Sequence, residues 1–182
     1  MILLGLGSLL FLVAAFLPYS RVFAEPSSEK KLAILTEMKT MWTIGSFLFG
    51  SGAVLAAIAF GIQSIGLKQV PGAALSYLGV ILMLIGSVSW CWHLYERTVD
   101  VNAFAMGENT PYLFIVYSVL TQAGLVLIGI FFLKSDIVNW IGWMFIIGAA
   151  IFFVLMVIFK DMPPFVYYVL TLIASIVLFI KV

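Results

Sequence analysis

Six stretches of the chain are apolar almost without interruption, and polar or proline-containing breaks separate them. They cover residues 2–19, 42–66, 72–95, 111–133, 137–159 and 164–180. A membrane-crossing helix needs about 20 mostly apolar residues, since each adds ~1.5 Å across a ~30 Å core. Strand-type alternation is absent, which argues against a β-barrel. The pattern predicts an all-α polytopic integral membrane protein, a single domain over 1–182 built as a bundle of six transmembrane helices.

Proline placement agrees with these boundaries. Pro18, Pro26, Pro71, Pro111, Pro163 and Pro164 all fall at span ends or in loops, where a missing N–H costs little. No span is broken midway, unlike the discontinuous helices of many ion-coupled transporters. Residues 1–24 invite a second reading as a secretory signal, with Val22-Phe23-Ala24 as its cleavage site. No Lys or Arg precedes the apolar run, however, so a retained first helix is expected.

Two loops are long. In the first, residues 27–41 read as an amphipathic interfacial segment: Ser27 or Ser28 can cap it, and Leu32, Leu35, Met38 and Trp42 share a face. The other, 96–110, carries three acids and one Arg. Loops one, three and five hold Arg21, Lys30, Lys31, Lys39, Arg97 and Lys160; the opposite side holds Lys68, Lys134 and Lys181. The positive-inside rule then puts loop 20–41 in the cytoplasm and both termini outside, in a plasma or inner membrane. Trp42, Trp90, Trp92, Tyr95, Tyr112, Tyr167 and Tyr168 mark one expected aromatic belt, and Tyr77, Trp140 and Trp143 the other.

Composition narrows the function. The hydrophobic set is 64% of the 182 residues, charged residues are 9%, and the formal net charge is +1. That excludes a soluble domain, a disordered chain and a nucleic-acid binder with its basic stripe. One Cys excludes a disulfide framework. Every acid and base lies in a loop or at a span edge. An ionisable group in mid-membrane costs at least ~2.5–3.5 kcal/mol and marks proton relays and coupled transporters, so such mechanisms are disfavoured.

Three sets of residues remain as candidates. Small residues recur every three or four positions: Ser46, Gly50, Ala53, Ala57 and Gly61 on span two, Gly79 and Gly86 on span three. Such stripes let helix backbones approach closely, so spans two and three are expected to pack on each other along them. Gln122, flanked by Thr121 and Ser118, is the deepest strongly polar side chain and is expected to hydrogen-bond between helices. His93, Glu96 and Asp100 fall at i, i+3 and i+7, and would share one helical face if span three ran on; imidazole with carboxylates is a metal-ligand chemistry. A haem would need a Met or a partner's His opposite His93. The competing reading is an interfacial His beside solvated acids, with Cys91 a small buried hydrophobe.

No cofactor is expected. The expected partners are membrane lipids and other membrane subunits or a second copy, and no nucleic acid. The leading function is a non-enzymatic subunit or scaffold of a membrane complex. The alternatives are a passive channel or carrier of small solutes or lipids, around Ser118, Gln122 and Thr171, and a metal- or haem-dependent membrane enzyme or redox module using His93.

Overall fold

The computed structural model describes residues 1–108, 111–135, 137–158 and 164–181. Their regular structure is all helical, with no strand among the described residues: α1 Ile2–Ala15, a 3₁₀ helix Pro18–Phe23, α2 Ser28–Glu37, α3 Lys39–Gly66, α4 Ala73–Val99, α5 Val101–Met106, α6 Pro111–Ser135, α7 Asn139–Ile158 and α8 Phe165–Lys181.

All six apolar stretches became helices, but four of them are long and apolar enough to cross a membrane: α3, α4, α6 and α7. The first and last are shorter. α1 has 14 residues, a rise of ~21 Å, and α8 has 17, ~26 Å. Pro18 ends α1 early. The residue before a proline is driven out of the α region, and Leu17 accordingly sits at φ −66, ψ 152. The apolar run 2–19 is therefore a helix plus the start of a separate 3₁₀ turn.

Within loop one, Ser28–Glu37 form α2. Ser27 Oγ accepts the Lys30 backbone N–H at the start of α2. Leu35 and Trp42 are buried, while Leu32 and Met38 are half-buried against the core. α2 breaks at Met38 (φ −109, ψ 26), and α3 begins at the next residue. α5 was not foreseen. Asp100 leaves the α4 helix (φ −114, ψ 81), and its carboxylate accepts the Ala103 N–H at 2.9 Å, capping a new short helix that ends at left-handed Gly107 (φ 74).

The six apolar helices close into a ring, each packing on the next in the order α1, α3, α4, α6, α7, α8 and back to α1. Reciprocal glycine crossings set three of these contacts. A Cβ on Gly52 of α3 would stand 2.7 Å from the Gly7 carbonyl oxygen of α1. Gly79 of α4 faces Gly124 of α6, and Gly129 of α6 faces Gly142 of α7. Such close approach maximises backbone van der Waals contact where lipid supplies no hydrophobic drive.

This revises the expected stripe packing. Gly79 and Gly86 of α4 face α6, not α3; a Cβ on Gly86 would meet Thr121 Oγ1 at 3.0 Å. On α3, Ala53 accepts the Ser87 hydroxyl through its carbonyl and Ala57 is buried. Gly61 has Val80 at ordinary contact distance, 3.4 Å, and Gly50 has Cys91 Sγ at the same distance. Where α3 and α4 do meet tightly, near the connecting turn, Ser64 and Ser76 share a short hydroxyl–hydroxyl bond.

Aromatic rings fill the centre of the ring of helices. Phe11 stacks on Tyr168 (centroids 3.6 Å) and Trp90 on Tyr117 (4.8 Å). The Tyr117 and Tyr168 hydroxyls bond at 2.6 Å, and Ser8 of α1 pairs with Thr171 of α8 at 2.8 Å. Trp42, Trp90, Tyr167 and Tyr168 are thus core residues rather than belt anchors. Trp92, Tyr95 and Tyr112 remain exposed on that side, as do Tyr77, Trp140 and Trp143 on the other.

Candidate functional site

The chemistry-bearing side chains gather at the end of α4. Its inward face continues Met83, Gly86, Trp90 and His93 by one more turn to Arg97, at 3% exposure a buried cation. The Arg97 guanidinium lies 4.2 Å from the Phe104 ring centroid, 4.7 Å from Trp42 and 5.1 Å from Phe23. Trp42 Nε1 donates to the Arg97 carbonyl at 3.3 Å. Four elements therefore meet on one side chain: the 3₁₀ helix, α3, α4 and α5. A desolvated cation on aromatic faces is worth ~2 kcal/mol or more, and a cation in the last turn also suits the helix dipole. Tyr19 completes the cap. Its hydroxyl donates to the Ala14 carbonyl at 2.7 Å, and its ring meets Trp42 edge-on. Burial pushes the Tyr19 phenol well above its usual range, and the nearby Arg97 charge only partly opposes this.

His93 is 7% exposed, its ring tilted against Trp90 and Phe114. Nδ1 has no hydrogen-bond partner among the described residues. Glu96 turns outward and accepts Trp92 Nε1 at 2.8 Å. Asp100, past the last helical turn, caps α5. The predicted shared face of His93, Glu96 and Asp100 therefore does not form, because the helix ends before Asp100 and the two carboxylates serve local roles. Among the described residues no group of three His, Cys, Asp or Glu side chains could hold a metal ion; a site on one helix would also need Glu108 or Asn109 to fold back, and Asn109 lies outside the described residues. Nor is His93 joined to a nucleophile: Ser89 donates to the Leu113 carbonyl, and Cys91 faces Gly50.

Deeper in α6, Gln122 is buried (1% exposed), but neither amide atom has a partner among the described residues, against the expected interhelical bond. The Ser118 and Thr121 hydroxyls and Trp90 Nε1 are likewise unpaired. These groups are locked in by the aromatic packing, with Thr121 pressed on Gly86.

The Arg97 cage was missed in the sequence. Its signal was there: Arg97 is four residues after His93 and seven after Trp90, on the stripe's own period. Compared with known proteins, the chain matches no family model, no curated protein and no solved structure.

Proposed function

We propose that this chain is a non-enzymatic integral membrane protein, a subunit or scaffold of a membrane complex, with six helices crossing the bilayer. The observation that carries the reading is the filled interior: the Phe11–Tyr168 and Trp90–Tyr117 stacks stand where a solute path through the ring would run. The polar positions of the channel alternative give it no support, since Thr171 is engaged by Ser8 and Ser118 is fully buried. A chain of this kind works through lipid and through neighbouring subunits or a second copy, and its outward faces are apolar, with Phe47 73% exposed and Val88 71%.

The shorter α1 and α8 are read as spans because they close the ring on α3 and α7. Local bilayer thinning accommodates a short helix at modest cost. The Lys and Arg count favours a cytoplasmic side for loop 20–41 and the Arg97 cap.

The test is extraction in mild detergent followed by native electrophoresis and identification of what comigrates. Stoichiometric comigration with another membrane polypeptide, or a defined homo-oligomer, is the expected result. A lone monomer that conducts a solute in liposomes would replace the scaffold reading with the channel one.

A further inference from the structure

α3 and α4 are joined by a short turn, touch at Ser64 and Ser76 beside it, and part towards the opposite end. The gap is an apolar groove of about 540 Å³, open on the outer face of the ring. Thr43 and Thr98 stand at its mouth, Gly50 and Cys91 form its floor, and Leu55 marks its inner end. From Thr43 to Leu55 is twelve residues of helix, a rise of ~18 Å. Half of a ~30 Å hydrocarbon core is ~15 Å. The groove thus starts at the interface and stops near mid-membrane, where the Ser87 hydroxyl reaches the Ala53 carbonyl and the helices close. A partner's transmembrane helix would need a seam through both leaflets. A groove of one leaflet's depth suits a lipid tail.

The mouth carries a matching charge. Lys39 precedes Thr43 by one helical turn on the same face, and Thr43 Oγ1 donates to the Lys39 carbonyl. Lys39 is exposed and no described carboxylate pairs with it. At the same end of α4, Glu96 accepts Trp92 Nε1 and Asp100 caps the start of α5. The two rim threonines each donate to the carbonyl one turn back, Thr43 to Lys39 and Thr98 to Leu94.

We propose that the α3–α4 groove is a binding site for one anionic phospholipid, with an acyl chain along Gly50 and Cys91 and the phosphate at Lys39. It rests on the membrane reading above and is independent of the subunit reading. Gly50 then serves as groove floor: a Cβ there would meet Cys91 Sγ at 3.4 Å and Leu94 Cδ1 at 3.6 Å, ordinary contact with the α4 side of the groove and without the backbone clash of the glycine crossings.

The test is native mass spectrometry of the full chain, extracted in mild detergent and offered phosphatidylglycerol or phosphatidylcholine. One phosphatidylglycerol should stay bound at collision energies that strip phosphatidylcholine. Gly50→Leu should abolish retention by filling the groove. Ser51→Phe, on the groove wall, should do the same if Gly50→Leu does not fold. Lys39→Ala should lower the preference for the anionic lipid by about five-fold, the worth of one Lys near an anionic surface. Val88→Leu, on the exposed face of α4, should leave retention unchanged. A wild-type protein in the membrane fraction that retains no lipid, or groove variants that retain it as wild type does, would overturn the site alone. A second copy of the chain seated there, seen as a dimer lost in Gly50→Leu, would overturn it too. A chain recovered outside the membrane fraction would overturn the site and the membrane reading together.

Discussion

Gly79 of α4 and Gly124 of α6 meet backbone to backbone: a Cβ on Gly79 would stand 2.7 Å from the Gly124 carbonyl oxygen, and one on Gly124 2.6 Å from that of Gly79. Neither oxygen belongs to a side chain that can swing away, so even a methyl must push the helices apart. Gly124→Ala is expected to destabilise the bundle by ~1–3 kcal/mol, the usual cost of overpacking. Gly50→Ala should be near neutral, because its nearest neighbours are side-chain ends at ordinary contact distance. Thermal unfolding in detergent ranks the two; equal losses would mean that the glycine crossing does not fix the α4–α6 spacing.

Arg97 ties the interfacial cap to the bundle. Arg97→Lys keeps the charge but loses the flat face that stacks on Phe104 and Trp42. A loss of about 1–2 kcal/mol follows from the scale of desolvated cation–aromatic contacts. The loss should be local, so limited proteolysis between α1 and α3 should accelerate more than global unfolding does. Proteolysis unchanged from wild type would show that the cage does not hold the cap.

Gln122 predicts a gain. A buried polar group without a partner costs ~1–3 kcal/mol, so Gln122→Met, similar in shape and apolar, should raise the midpoint of thermal unfolding. Thr171→Val should act oppositely, losing the bond to Ser8 and ~0.6–2 kcal/mol with it. A drop in stability for Gln122→Met would mean that the amide is satisfied in the membrane, by water or by a partner chain.

For His93, ring packing is the feature to preserve. His93→Phe keeps a ring between Trp90 and Phe114 and removes the unpartnered Nδ1, and its stability should match wild type. Metal analysis of the purified wild type and of Glu96→Gln serves as the counter-test. Stoichiometric metal in the wild type, lost in either variant, would restore the metal reading that the geometry disfavours.

Much of this arrangement was legible before the fold was known. Runs of about 20 apolar residues force helices, because a backbone in lipid must bond to itself. The cap of α2 is legible as Ser27 or Ser28, and the structure uses Ser27. The limits lay in what pairs with what. Gly79 reads as a contact residue from its stripe alone, but only tertiary packing says that its partner is Gly124 on α6 instead of α3. Trp90 and Trp92 look alike as interfacial tryptophans; two positions turn a side chain by about 200° around a helix, and one went to the core and the other to the outside. Arg97 was counted only as a loop charge, although its spacing from Trp90 and His93 already placed it on the buried face.

The proposed function requires that α3 and α4 carry the chain across a membrane and back. The most direct measurement is labelling of single cysteines at Glu29, Lys68 and Glu108 by an impermeant thiol reagent on intact cells, in a Cys91→Ala background; all three side chains are exposed. The Lys68 site should react from outside, and the Glu29 and Glu108 sites only after the membrane is breached. Glu29 and Lys68 reacting from the same side would mean that α3 does not cross, and would contradict the membrane reading at its root.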